Sequence, residues 1–400
     1  MQFKIGILVG NYMGSNVAYR TLVVRRRLEE IPPELLQRFT EVQKAFRKWA
    51  TEWYKSGFKK PMPDKNPLKY FAKELKYNLR LIPTNGLKNG EWRAPLPFDA
   101  QLRTGNEKDV GCGILVDLPK GEIRIRRWSG IKGNVITVRL KEEDTKWILE
   151  RVKEGGKLKL AYAWVGRAKR SNVTTFNVAL VFAREVAPIE ARRVLAVDLN
   201  ALHNGVAWGI VEEGRIMKRK VKRPDLWKIK RLQKEISHLD SLCAKKGEPY
   251  CKQSVTAQSR LYRVLRQFED EAVREVVETA VKKKAMIVVD APRDESIRRL
   301  KEGKYVPEKK LYLNIGRLRR RIEELAKWYG VPSREQRLYS TICPRCGAKM
   351  EELPNRGVRC PKCGFEAPRD KIPLLWAAKL STQHSFFDPT PVQLAINLNP

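Results

Sequence analysis

Three aspartates and four cysteines carry the chemistry this sequence advertises. Asp198 follows the apolar run Arg193-Val194-Leu195-Ala196-Val197, Asp290 follows Met286-Ile287-Val288-Val289, and Asp370 lies between a four-cysteine module and an apolar helix. Carboxylates at strand ends can converge to hold two divalent cations about 3.5–4 Å apart, which is how many nucleases cleave phosphodiesters. A lone strand-end aspartate usually does no more than cap a turn. Three at matched places in one topological order are harder to assign to chance. Asp294 and Glu295 follow Asp290 closely and remain alternatives for the second ligand.

The cysteines fall in two knuckles, Cys343-Pro344-Arg345-Cys346-Gly347 and Cys360-Pro361-Lys362-Cys363-Gly364. Each brings two thiolates and a glycine into a tight turn, so Cys343, Cys346, Cys360 and Cys363 supply four soft ligands for a structural, tetrahedral Zn²⁺, with iron as the lesser alternative. Cys112, Cys243 and Cys251 remain. In a reducing compartment disulfides are not their expected use, although Cys243 and Cys251 are near enough in sequence to bridge in an oxidising cytosol. His203, His238 and His384 have no ligand or catalytic-triad spacing, which argues against a histidine-based zinc hydrolase.

Charge points the same way as the aspartates. With 81 Lys+Arg against 45 Asp+Glu, the chain carries a formal charge of +36, and such a chain repels itself unless a polyanion neutralises it. The basic residues recur along the whole chain instead of flanking one apolar segment, which favours nucleic acid over a membrane surface. No apolar run approaches the ~20 residues of a membrane helix, and the opening Met1–Gly10 has too short an apolar centre for a signal peptide. The expected location is cytoplasmic. Two basic segments are candidate phosphate contacts. One holds Lys218, Arg219, Lys220, Lys222, Arg223, Lys228, Lys230 and Arg231 around Trp227, and the other holds Arg317, Arg319, Arg320 and Arg321. A solvated charged face is the bland alternative for both.

These residues need elements to position them. Four hundred residues with 42% apolar content allow two or three folded domains. Alternation predicts strands at Phe3–Val9 and Tyr19–Val24. Leu35, Leu36, Phe39, Val42, Phe46 and Trp49 then recur at helical spacing within a helical insertion, 31–85, whose Lys44, Arg47, Lys48, Lys55, Lys59 and Lys60 face either a polyanion or water. Short strands between 86 and 188 suggest a small antiparallel β-barrel, which the early strands would complete and the insertion would interrupt; Pro188 marks a plausible boundary. Beyond it come a three-strand meander, a long basic helical region with Leu261, Val264, Leu265, Phe268, Ala272, Val276 and Ala280 on one face, the strand Met286–Asp290, a helix ending at Gly330, a short strand at Arg337–Ser340 and a last helix. That is the order of an RNase H-like core with the cysteine module inserted before its final helix. The tail, 381–400, reads as polar.

Val197-Asp198-Leu199, Val288-Val289-Asp290, the paired CxxC module, Pro368-Arg369-Asp370 and Leu325-Ala326-Lys327-Trp328-Tyr329-Gly330 together resemble the TnpB family of transposon-associated RNA-guided nucleases, and more distantly the compact type V CRISPR effectors. The resemblance is clearest from Val194 to about Leu380. It implies an α+β multi-domain chain: a wedge β-barrel (1–30 and 86–188) carrying a helical recognition lobe (31–85), a RuvC-type nuclease core (189–340 and 367–380) and a zinc ribbon (341–366). It also implies a guide RNA, complementary target DNA read by base pairing, and DNA cleavage by two Mg²⁺ held at one site by Asp198, Asp290 and Asp370. The oligomeric state, monomer or dimer, stays open. Three departures stand against cleavage: Asp290 replaces the family's Glu, Asn200 replaces a Gly, and Lys371-Ile372-Pro373-Leu374-Leu375-Trp376 replaces an Asn-Ala-Ala pattern. An RNA-guided binder with weak or lost cleavage is therefore the first alternative, and a guide-free zinc-ribbon DNA-binding protein the second.

Overall fold

The structure is a computed structural model that describes residues 17–78, 87–88, 91–92, 95–167, 174–199, 205–247, 252–290 and 315–381. The chain divides into two compact units, Met1–Glu185 and Val186–Pro400, within three residues of the boundary expected at Pro188. Among the described residues no helix is long and apolar enough to cross a membrane.

Unit 1 begins with β1 (Val17–Arg27), α1 (Pro33–Lys55) and α2 (Leu68–Tyr77). Eight strands and a helix follow. They are β2 (Leu87–Lys88), β3 (Glu91–Trp92), β4 (Leu96–Phe98), β5 (Ala100–Arg103), β6 (Ile114–Asp117), β7 (Glu122–Ile125), β8 (Ile136–Arg139), α3 (Glu142–Lys153) and β9 (Lys157–Arg167), before the unit closes with β10 (Thr174–Glu185). The expected helical insertion is present as α1 and α2. α1 starts on Pro33, where a missing N–H costs nothing, and buries Phe39, Gln43, Phe46, Trp49, Ala50 and Trp53 along one stripe. Gln43 docks that stripe on β9: its amide donates to the Val165 carbonyl at 3.2 Å and accepts the Val165 N–H at 2.8 Å.

One antiparallel barrel is not what the described strands make. They pair as two four-stranded sheets, β1-β10-β9-β4 and β5-β6-β7-β8, with β2 and β3 as a separate two-stranded pair, and the β5–β6 pair is parallel. The switch between sheets occurs at Asp99, between β4 and β5, where the carboxylate accepts the Gly113 N–H at 2.9 Å and the Tyr70 hydroxyl. Phe3–Val9, expected to complete the barrel, lies outside the described residues. Sequence periodicity also missed α3, whose first turn carries Glu142, Glu143 and Asp144 against the helix dipole.

Unit 2 runs β11 (Arg193–Leu199), β12 (Val206–Glu212), β13 (Arg215–Lys222), α4 (Leu226–Lys245), α5 (Lys252–Lys283), β14 (Ala285–Asp290), α6 (Ile315–Trp328) and β15 (Ser333–Gln336). Three short strands, β16 (Glu351–Leu353), β17 (Gly357–Arg359) and β18 (Glu366–Pro368), then lead through the 3₁₀ turn Arg369–Lys371 to α7 (Ile372–Ser381). The meander–helix–strand–helix–strand–helix order is the expected one. Its main sheet has the order β13-β12-β11-β14-β15, antiparallel through β13, β12 and β11 and parallel from β11 to β14 and β15. The last strand falls at Ser333–Gln336 rather than Arg337–Ser340 because pairing to β14 begins directly after Pro332, whose carbonyl accepts the Ile287 N–H at 2.9 Å. α6 ends as its sequence predicts, with Gly330 at φ 71° ahead of Pro332.

Two apolar layers sandwich this sheet. Leu195 and Val197 of β11 and Ile287 and Val289 of β14 pack with α4, α5 and α6 through Ile229, Leu265, Phe268, Val276 and Ile322. Val194 and Ala196 of β11 and Met286 and Val288 of β14 pack instead on Leu374, Ala377 and Ala378 of α7. Such residues on alternate positions are the signature of a sheet buried on both faces.

Candidate active site and cysteine centre

Side-chain alternation places the first two aspartates. Asp198 has the parity of Val194 and Ala196, and Asp290 that of Met286 and Val288, so both fall on the α7 face of the sheet. The parallel register sets Val197 beside Val289. Asp198 and Asp290 therefore leave the same end of adjacent strands, one step beyond that pair. Asp198 is only 5% exposed. One oxygen of Asp290 accepts the Leu338 N–H at 2.6 Å, fixing that carboxylate to the segment that follows β15.

Asp370 comes from another element. It is 5% exposed and lies in the 3₁₀ turn that runs directly into α7. That helix is laid close against the sheet. A Cβ on Gly209 of β12 would stand 2.9 Å from the Lys218 carbonyl oxygen and 3.0 Å from a methyl of Leu374, so the glycine eases the approach of the helix. Arg219 of β13 pairs in register with Gly209, which puts it on the same face, and its guanidinium lies 3.8 Å from the Asp370 carboxylate. The structure thus brings Asp198 and Asp290 to one end of one face and sets Asp370 beside Arg219 of β13. They are not tightly clustered, since among the described residues only the cysteines form a group of three or more metal-ligand atoms all within 4.8 Å of one another. The donor set, carboxylate oxygens alone, suits hard cations such as Mg²⁺. Asp294 and Glu295 lie outside the described residues.

The four ribbon cysteines form a far denser centre. Cys343 and Cys363 stand 3.6 Å apart at sulfur and Cys346 and Cys360 3.4 Å. A disulfide requires about 2.05 Å, whereas thiolates around one tetrahedral Zn²⁺ at about 2.3 Å sit roughly 3.8 Å apart. The donors fit zinc and exclude a bridge. Each knuckle closes by the same two bonds: Cys343 N–H to Ala348 O at 2.8 Å and Gly347 N–H to Cys343 O at 2.9 Å, then Cys360 N–H to Phe365 O at 2.8 Å and Gly364 N–H to Cys360 O at 2.9 Å. Gly347 and Gly364 take φ of 77° and 69° there, which the turn needs and a side chain would resist. The ribbon's small apolar cluster of Met350, Val358 and Ile372 leans on Trp376 of α7, whose Nε1 donates to the Ile342 carbonyl at 2.9 Å. Sequence reading missed this latch, although a tryptophan in a short apolar helix beside a zinc module is a visible cue.

Cys243 corrects the expectation about disulfides. It is disulfide-bonded, while Cys112 and the four ribbon cysteines are free. Cys251, the partner named from sequence, lies outside the described residues.

The two basic segments behave differently. Trp227 is 70% exposed with the Arg231 guanidinium 4.9 Å from its ring centre, and Lys218, Arg223, Lys228 and Lys230 are exposed. Lys220 and Lys222, by contrast, pair with Glu275, and Lys222 also meets Glu271 at 3.0 Å. In the second segment Arg317 pairs with the buried Glu269, Arg319 with Glu335 at 2.8 Å and Arg321 with Asp270, while the Arg320 Nε donates to the Gly316 carbonyl at 3.1 Å. These arginines hold α6 to α5 and β15.

No curated protein matches the chain. Among solved structures it is similar to Cas12f1 in a complex with sgRNA and target DNA, at 14% identity and a TM-score of 0.51, over 86% of this chain and 81% of that one. A CRISPR-Cas12f ternary complex aligns at 12% identity with a TM-score of 0.34 over 86% and 79% of the two chains. CasPhi-2 bound to crRNA and phosphorothioate-DNA aligns at 12% with a TM-score of 0.37 over 66% and 58%. The first of these shows the fold. The resemblance to compact type V effectors is borne out, and it is most specific where α6, the ribbon and the Asp370 turn lie: residues 316–372 match the model of the family Cas12f1-like, TNB domain.

Proposed function

We propose that the chain is an RNA-guided DNA endonuclease whose single RuvC-type site is built from Asp198, Asp290 and Asp370. The observation that carries this reading is the placement of Asp198 and Asp290 at the same end of adjacent parallel strands, on the sheet face covered by the helix that directly follows Asp370. The matching TNB-domain model and the Cas12f1-like fold support it. So does a charge of +36, which suits a guide RNA and a complementary DNA strand. In this reading 1–30 and 86–188 form the wedge, 31–85 the recognition lobe, 189–340 and 367–380 the nuclease core and 341–366 the ribbon.

Asp198 and Asp370, both largely buried, would hold the cations from fixed positions, and Asp290 would join them from the end of β14. Paired Mg²⁺ at such a site supplies Lewis acidity to the scissile phosphate and its leaving oxygen. Arg219 steadies Asp370 from β13, and the apolar contact of α7 with the sheet excludes water from beneath the carboxylates. Four thiolates saturate a Zn²⁺, so the ribbon's metal has a structural role.

A second reading, a guided binder with weak or lost cleavage, is favoured by Asp290 itself. Its side chain is one methylene shorter than Glu and already has one oxygen bound to backbone. The test is to sequence RNA that co-purifies with the protein and then offer matched DNA with Mg²⁺. The proposal expects a defined RNA and guide-dependent cutting. Tight guided binding without cutting across Mg²⁺ and Mn²⁺ would establish the second reading, and absence of a bound RNA would overturn both.

A further inference from the structure

Unit 1 contains a cleft of about 660 Å³ whose walls the aspartate site does not use. Its size is that of a small-molecule or nucleotide pocket. The cations Arg126, Arg127 and Lys132 line it together with Tyr70, Ile131 and Asn134, and among the described residues no acidic side chain does.

Three features mark it as shaped for a ligand. First, one residue is held in an uncommon backbone conformation: Arg127 has φ 60°, beside Gly130 and Gly133, which take φ 73° and 95° as glycine can. A non-glycine residue in the left-handed region is uncommon and strained, and such strain gathers at binding sites. Gly130 is also pressed so close that a Cβ would stand 3.3 Å from the Asn66 backbone. Second, donors are left over. Arg126 gives one nitrogen to Asp109 at 2.8 Å, yet its Nε is buried with no hydrogen-bond partner, as is the Asn134 Nδ2. Buried donors without partners are rare in finished interiors. Third, the Arg127 guanidinium is half-exposed and meets Asp99 only at 3.9 Å, while Ile131 offers an exposed apolar side chain beside these charges.

We propose that this cleft is a nucleotide-binding subsite: it takes one nucleotide of a nucleic-acid strand, with the phosphate on Arg126, Arg127 and Lys132 and the nucleoside against Ile131, Tyr70 and the Asn134 amide. Unpaired guanidinium donors suit phosphate oxygens, and a flat, partly apolar wall suits a base. The proposal deepens the RNA-guided reading and rests on it only for the presence of a strand. It is independent of the aspartates.

Photo-crosslinking of the full chain tests it, using 4-thiouridine in the co-purifying RNA or 4-thiothymidine in matched DNA, with crosslinked peptides located by mass spectrometry. A crosslink from either strand within the peptides holding Tyr70 or residues 126–135 is expected, and the responding strand identifies the source. Arg127→Gly should cut its yield about tenfold, the loss of one charge-assisted contact, while the melting temperature holds or rises because glycine relieves the positive φ. Lys132→Gln, on an exposed loop that cannot unfold the sheet, should lower the yield as well. Crosslinks confined to other peptides while RNA stays bound, or a cleft crosslink unchanged in both variants, would overturn the subsite but leave the guided-nuclease reading standing. Failure to retain any RNA would overturn both.

Discussion

The cysteine centre, which ends just before Asp370 along the chain, and the aspartate site are built by opposite strategies. Every ligand of the cysteine centre comes from one segment, Cys343–Cys363, and two local turns closed by backbone hydrogen bonds bring the sulfurs within 4.8 Å of one another. The aspartates come from three elements far apart in sequence: Asp198 and Asp290 share an end and a face of the main sheet, Asp370 lies in the turn before α7, and the three do not form so tight a group. Four neutral or metal-bound thiols can crowd together, whereas carboxylates held close without a cation repel. A closed centre serves as architecture and an open one leaves room for substrate.

Breaking the open site should have the largest effect on activity. Asp198→Ala and Asp370→Ala are expected to lower guided DNA cleavage by at least about 10³-fold while guide and target affinities stay near wild type, measured by single-turnover cleavage beside a binding assay. Breaking the closed site should act first on structure. Cys346→Ser should drop the metal content, read by elemental analysis, from about one equivalent to less than about half, and open the ribbon to protease, because binding of a structural zinc is part of its folding energy. Cleavage should then fall too, since β18 leads directly into the Asp370 turn.

Asp290 sharpens the contrast, for it is the ligand whose length departs from the family pattern. If it holds a cation, Asp290→Ala abolishes cutting and Asp290→Glu keeps or raises it; equal activity in all three proteins would remove it from the site. A smaller difference separates the two basic segments. Lys228→Glu with Lys230→Glu should weaken RNA binding and flatten its dependence on salt by about one phosphate contact per charge. Arg317→Gln should leave that slope alone and cost about 1–3 kcal/mol of stability, because Glu269, 1% exposed, loses its main partner. The smallest effect expected is Trp376→Phe, which keeps the ring and loses the bond to Ile342, costing about 1 kcal/mol by thermal or denaturant unfolding.

How much of this was legible depends on whether a feature is local. The knuckles could be read because spacing alone dictates their geometry, and so could α6, stopped by Gly330 and Pro332. The aspartates were legible at one remove: an apolar run ending in Asp gives a strand end, but their common face required the Val197–Val289 register and the two apolar layers. Pairing between distant strands was not legible. Nothing in Leu96–Phe98 and Ala100–Arg103 announces that the chain changes sheet at Asp99, so one barrel was expected where the described strands make two separate four-stranded sheets beside the β2–β3 pair. Nor does a run of arginines reveal its partners: Arg317, Arg319 and Arg321 read as a phosphate patch until Glu269, Glu335 and Asp270, from other elements, came beside them.

The central claim, that the aspartates at the sheet end cut DNA, is tested most directly by loading wild-type and Asp198→Ala proteins with the same RNA and following cleavage of matched DNA in Mg²⁺. The account predicts cutting by the wild type and none above background by the variant, with equal target binding by both. Full cutting by Asp198→Ala would contradict it, because no other carboxylate lies in β11 to take its place.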